Sequence, residues 1–149
     1  MTTHTQWTDS HCPVARTTDI VGDRWSLLIV RDAFDGTRRF SQFQRNLGIA
    51  KNILTDRLKG LVEQGILEAR SNEKGTRNEY VLTERGMDLF TVIVSLRQWG
   101  ERHAFIDGEP HSTLIDDTTG DPVPTLRLVN ARKIGLDATN THVRKVEQD

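Results

Sequence analysis

The sequence predicts a mainly α protein with a small β component: a winged helix-turn-helix domain, a long dimerisation helix and a C-terminal β appendage. Three observations carry that expectation. Two short amphipathic helical patterns meet at a tight turn around Gly48 and Ile49. Two alternating segments, "ILEARSN" and "RNEYVLT", then flank the turn "EKGT" and read as a β-hairpin. After Thr83 a long helical pattern is apolar nearly all the way round.

Each element has a local reason. Pro13 suits the first position of a helix because its missing N–H costs nothing there, and Gly22 supplies a stop. Asp23 is a good N-cap for "RWSLLIVRDAF", whose buried stripe is expected at Trp25, Leu28, Ile29 and Phe34, with Gly36 ending it. In "RRFSQFQRNLG", Ser41 followed three residues later by Gln44 fits a capping box, with Phe40 as its hydrophobic staple and Gly48 as its end. In "AKNILTDRLKGLVEQG", winding at about 100° per residue places Leu54, Leu58, Leu61 and Val62 on one side. Asn52, Thr55, Asp56, Lys59 and Glu63 gather on the other. Thr83 caps the long final helix. A helix apolar on every side must be covered on every side, most simply by a second copy under two-fold symmetry, and otherwise by the C-terminal segment. Phe90, Ile93, Val94, Leu96 and Trp99 are the expected dimer contacts. Beyond Pro110, turn clusters such as "DDTTGDP" separate short strand-like runs in which Leu114, Ile115, Leu126, Leu128, Val129 and Ile134 call for burial. The expected division is a flexible arm over 1–10, the winged domain over 11–106 and the β-rich extension over 107–149.

Composition is ordinary for a soluble domain: 149 residues, 36% hydrophobic, 28% charged, net charge −1. No apolar run reaches the roughly 20 residues that span a bilayer, and "MTTHTQWTDSHC" lacks the basic start and apolar stretch of a signal peptide, so a cytoplasmic location is expected. The net charge conceals an uneven distribution. Residues 36–80 carry nine basic against five acidic side chains, a local excess of four that suits an anionic partner. The single cysteine, Cys12, excludes an intrachain disulfide framework. His4, His11 and Cys12 match no standard metal spacing, and neither a metal nor a cofactor is expected. No glycine-rich phosphate loop or nucleophilic triad argues for an enzyme.

The run from "CPVARTTDIVGDRWSLLIVRDAFDGTRRF" through "SQFQRNLGIAKNILTDRLKGLVEQGILEAR", with "RNEYVLTERG" and "WG" after it, resembles the HxlR-type transcriptional regulators, relatives of the MarR-type winged-helix proteins. The resemblance covers residues 10–103, about two-thirds of the chain. It implies a homodimeric DNA-binding regulator and a sensing role for the cysteine that opens the first helix. Two departures stand out. Ala50 occupies a position where members often carry Ser, leaving the start of the recognition helix without a side-chain cap. The tail resembles an extension that in some relatives has cysteine pairs suggesting a zinc ribbon; without those cysteines it should hold its shape with no metal.

On this basis Lys51, Asn52, Thr55, Asp56 and Lys59 are expected to face base edges in the major groove. Arg38, Arg39, Ser41 and Arg45, with Lys74, Arg77 and Asn78 on the wing, are expected to meet phosphates. The partner would be duplex DNA carrying an inverted repeat. Cys12 admits two readings: a small packed side chain, or a thiolate favoured by the helix dipole, with Arg16 one turn along and His11 adjacent, reacting with a small electrophile or oxidant. The competing functional class is a winged-helix scaffold that binds protein or ligand without reading DNA.

Overall fold

A computed structural model describes residues 6–71, 73–75 and 78–147. The elements run α1 (Pro13–Val21), α2 (Arg24–Phe34), α3 (Phe40–Leu47), α4 (Lys51–Glu63), β1 (Leu67–Ser71), β2 (Asn78–Leu82), α5 (Glu84–Met87) and α6 (Phe90–His103). The chain divides into two compact units, Met1–Ile93 and Val94–Asp149, with the boundary inside α6.

In the first unit, side-chain caps set the starts of α1, α2 and α5. The Asp23 side chain accepts from the Ser26 N–H at 2.9 Å and opens α2. Gly48, in the left-handed conformation, ends α3 and turns the chain into α4 with Ile49 buried beneath. Leu54, Leu58 and Leu61, at i, i+4 and i+7, point the apolar stripe of α4 inward. They join Val21, Ile29, Val30, Phe43, Ile49, Ile66 and Leu67 in one buried cluster. Burying each large side chain there contributes about 1.5–3 kcal/mol. β1 and β2 pair antiparallel from Leu67↔Leu82 to Ser71↔Asn78. The sheet has one further rung: Arg39 bridges Glu79, and the Tyr80 N–H donates to the Arg38 carbonyl at 2.8 Å.

That rung corrects the expected start of α3. The cap is Arg39, not Ser41, which lies within the helix; the Gln42 side chain accepts from the Arg39 N–H at 3.3 Å. Extended backbone through Arg38 and Arg39 is already committed to β2, so the helix begins as soon as the bridge ends. The stripe of α2 is also displaced from expectation. Ser26, Ile29, Val30 and Asp32 are buried, whereas Trp25, Leu28 and Phe34 are half-buried. Trp25 lies beneath the Arg24 guanidinium at 4.6 Å, and Phe34 packs on Phe90 with ring centroids 5.4 Å apart. Asp32 is tolerated inside because Arg31 closes on its Oδ1 at 2.7 Å, although Oδ2 has no partner.

The single long helix expected after Thr83 is two helices. Thr83 Oγ1 accepts from the Gly86 N–H at 3.0 Å and donates to the Gly65 carbonyl, while the Thr83 N–H donates to the Ile66 carbonyl at 3.1 Å. These bonds fasten α5 to the base of the hairpin. A Cβ on Gly86 would lie 2.2 Å from the Ile66 carbonyl oxygen. With α5 held there, the chain turns at Asp88 and Leu89 before α6 starts.

In the second unit, the C-terminal half of α6 holds the following segment by polar contacts. Arg97 Nη1 donates to the Ser112 carbonyl at 3.0 Å. Gln98 donates to the Pro124 carbonyl at 3.0 Å and accepts from the Leu126 N–H at 2.8 Å. Beyond it, the β structure of the extension takes the form of isolated bridges, Ile115↔Pro122 and Val129↔Gly135, in place of continuous strands. Ile115, Leu126, Leu128, Val129 and Ile134, expected to be buried, are exposed, and Leu114 is half-buried. The backbone is satisfied locally instead. Asp116, Asn130 and Asp137 each accept from the N–H two residues on, from Thr118, Arg132 and Thr139, at 2.8, 2.9 and 2.8 Å. Hydrogen bonds from the Thr118 and Thr139 side chains and N–H groups hold the Asp116 and Asp137 carboxyls below their ordinary range.

Candidate nucleic-acid interface

The core stripe of α4 fixes what its other face can be. With Leu54, Leu58 and Leu61 inward, Lys51, Asn52, Thr55, Asp56 and Lys59 are all exposed. Asn52, Thr55, Asp56 and Lys59 fall at i, i+3, i+4 and i+7, so they form one row. Their chemistry differs. The Thr55 hydroxyl donates to the Lys51 carbonyl at 2.8 Å, which commits its proton to the helix and leaves its methyl and lone pairs for an outside group. Asp56 is charge-compensated, since Arg57 Nη1 meets its Oδ2 at 2.8 Å. Arg57 Nε also reaches Asp23 at 3.1 Å, coupling the exposed face of α4 to the start of α2. Partial burial pulls the Asp23 carboxyl upward, but hydrogen bonds from Ser26 and Arg57 outweigh it and carry the group below its ordinary value.

Ala50 is the N-cap of α4 and provides no side-chain hydrogen bond. The first N–H groups of that helix are therefore free of a side-chain cap at the end where Lys51 and Asn52 stand.

The flanking basic and polar residues separate into two sets. Arg38 and Arg39, 60% and 55% exposed, both lie against Glu79 at 3.9 Å. Ser41 and Arg45 are exposed on α3, Lys74 is exposed in the hairpin turn and Asn78 is exposed at the start of β2. Arg77 lies outside the described residues. Sequence reasoning missed Arg57, Arg70 and Glu79. Arg70 stands directly across from Glu79 in the register of the hairpin, and the alternation of "LEARS" against "NEYVL" was the available signal.

Of the expected dimer contacts, Phe90, Leu96 and Trp99 are exposed on α6, at 42%, 51% and 61%. Ile93 and Val94 are not available in the same way. Ile93 packs on the core cluster and Val94 is only 3% exposed. The helix is turned so that Val92, Leu96 and Trp99, at i, i+4 and i+7, form the outward stripe, a rotation that an all-apolar pattern conceals.

Cys12 is the N-cap of α1, half-buried, with its Sγ accepting from the Ala15 N–H at 3.4 Å. Arg16, expected beside the thiol, has its Nε on the Ser10 carbonyl at 2.8 Å and its guanidinium over the Trp7 ring at 4.7 Å. The arm residue Thr8 bonds Asp19 through both its N–H, at 3.0 Å, and its hydroxyl, at 2.7 Å. Among the described residues no group of three or more His, Cys, Asp or Glu side chains is placed to hold a metal ion. Nor is any helix among them long and apolar enough to cross a membrane.

Comparison with known proteins places this geometry. The model of the HxlR-like helix-turn-helix family matches residues 20–107. Rv3095 of Mycobacterium tuberculosis (strain ATCC 25618 / H37Rv), described as an uncharacterized HTH-type transcriptional regulator, is 50% identical over 91 residues. That match covers 60% of this chain and 58% of the relative, less than two-thirds of its length. The crystal structure of PA1607, a proposed transcription factor, is 47% identical, with a TM-score of 0.87 over 91% of this chain and 96% of that one. The redox regulator HypR in its reduced form is 30% identical, with a TM-score of 0.59 over 62% of this chain and 94% of its own. With the winged order of its elements and this family match over more than half its length, the chain belongs to the HxlR-like helix-turn-helix family of transcriptional regulators.

Proposed function

We propose that the protein is a homodimeric regulator that binds duplex DNA, with α4 in the major groove and the hairpin as wing. The observation that carries the reading is the exposed row of Asn52, Thr55, Asp56 and Lys59, beside Lys51, backed by a fully buried leucine stripe on a helix-turn-helix scaffold. Asn52 suits adenine, the free methyl of Thr55 suits the thymine methyl, and Lys51 and Lys59 suit guanine or phosphate. Asp56, compensated by Arg57, accepts from a cytosine amine without leaving an isolated negative charge at the DNA. The uncapped N–H groups at Lys51 and Asn52 take a phosphate, which replaces the missing Ser-type cap. Arg38, Arg39, Ser41, Arg45, Lys74, Arg77 and Asn78 serve the backbone. Asn52→Ala and Thr55→Ala should each lower the preference for the selected site over unrelated duplex by about five- to 100-fold, leaving sequence-independent binding intact. Fluorescence anisotropy with both duplexes at fixed salt checks it, and an unchanged ratio for both variants contradicts it.

Dimer formation uses the outward stripe of α6, where Leu96 and Trp99 would otherwise remain in water. Control passes through Cys12. The support is its position as a half-buried cap on α1 together with the likeness to a protein described as a redox regulator. Peroxide converts the thiol to a sulfenic acid with release of water, changing the group that accepts from the Ala15 N–H. Peroxide should weaken DNA binding of the wild type and leave Cys12→Ser unaffected. Equal responses of the two proteins, read by anisotropy and intact mass, remove the thiol from the account.

A further inference from the structure

We propose that Glu79 is an intramolecular competitor for the DNA backbone, a carboxylate that stands in for a phosphate between Arg38 and Arg39 and so limits sequence-independent binding. The inference rests on the DNA-binding reading above. Glu79 is flanked on both sides of β2: Arg39 bridges it from one neighbour and Arg70 faces it from the other. Residues directly opposite in antiparallel pairing share a face, so Arg39, Glu79 and Arg70 form a row across the wing. Arg38 Nη1 and Arg39 Nε both lie 3.9 Å from the Glu79 carboxylate, while Arg70 Nη2 is taken by Glu68 at 3.2 Å.

The distances decide the role. At 3.9 Å neither arginine is hydrogen-bonded to Glu79; the attraction is of charge alone, in a loose and solvent-accessible geometry. Their forked donors therefore remain available to an anion that offers better geometry, and a phosphate does so bidentately. The Glu79 side chain is only 25% exposed and its backbone is paired on both sides, so the carboxylate is presented beside the two arginines. Every phosphate that approaches must share the two arginines with it or displace it. Neutralising Glu79 raises the local charge of the Arg38, Arg39 and Glu79 group from +1 to +2 without moving the backbone that carries it.

The test is salt-dependent anisotropy on a mixed-sequence duplex, with wild type, Glu79→Gln, Glu79→Asp and Arg39→Gln, alone and combined with Glu79→Gln. Glu79→Gln should bind about three- to tenfold more tightly at low salt. Its slope of log affinity against log salt should steepen by about one. Glu79→Asp, which keeps the charge, should behave as wild type. Arg39→Gln should cost more in the Glu79→Gln background than alone, because only there is its charge wholly available. Affinity and slope of Glu79→Gln equal to wild type overturn the proposal. So does weaker binding by a Glu79→Gln variant that melts like wild type, since the carboxylate would then be orienting the arginines. Should Glu79→Gln fail to fold, a full loss of salt-dependent affinity in Arg39→Gln alone overturns it, and a small loss supports it. If wild-type binding shows no salt dependence at all, the DNA-binding reading falls and takes this inference with it; a salt-dependent wild type matched by Glu79→Gln sinks the inference alone.

Discussion

Gly86→Ala should destabilise the protein by about 3 kcal/mol, lowering the thermal midpoint by about 10 °C. The new Cβ would sit 2.2 Å from the Ile66 carbonyl oxygen and 3.0 Å from Leu82 Cδ2, so backbone must move. What moves is the junction made by Thr83, where the base of the hairpin, α5 and the entry to α6 are fastened together. Gly60→Ala is the internal control. It lies within α4 with nothing inside 4 Å of its Cβ, and exchanging glycine for alanine there should stabilise by about 0.5–1 kcal/mol. Calorimetry on the two variants gives opposite signs if the junction is packed as described. Two shifts of the same small size would mean that the hairpin base is not held against α5.

Leu96→Asp should halve the solution mass and lower affinity for the selected DNA by about 100-fold or more, because each half-site would then be bound without the second. Leu96 is 51% exposed in the single chain, so the aspartate remains hydrated in a separated subunit and fold stability should change little. Val94→Asp makes the contrast. That side chain is 3% exposed, and a charge there should cost several kcal/mol of folding rather than of association. Sedimentation equilibrium paired with thermal melting separates the two effects. A wild type that already has the mass of a single chain, or a Leu96→Asp protein that keeps the mass of a dimeric wild type, would contradict the proposed contact.

What could be read from the sequence was what is decided locally. Pro13 and Asp23 mark the starts of α1 and α2 through chemistry within one turn, and Gly48 marks a chain reversal that only a left-handed residue makes cheaply. The period of Leu54, Leu58 and Leu61 oriented α4, so the outward row carrying Asn52 and Thr55 followed from geometry. Three features depended on partners distant in sequence. Arg39 caps α3 because Glu79, forty residues on, holds it extended. The helix after Thr83 breaks because Gly86 is pressed to the Ile66 carbonyl, although Asp88 and Leu89 carry no breaker signal. In α6, apolar residues on every side gave no means of telling buried Val94 from exposed Leu96. The extension misled for another reason. Its short runs between turn clusters suggested strands, but Asp116, Asn130 and Asp137 satisfy the backbone within their own turns and leave Leu128 and Ile134 outside. Arg70 and Glu79 were hidden as ordinary wing charges until the register set them side by side.

The most direct test of the account is selection from random duplex DNA by the wild type and by a protein carrying Asn52→Ala and Thr55→Ala together. The wild type should enrich an inverted repeat with half-sites about one helical turn apart, and the double variant should still retain DNA while losing preference at the half-site bases. Selection of no common sequence by the wild type, or of the same sequence by both proteins, would contradict the assignment of α4 as the element that reads it.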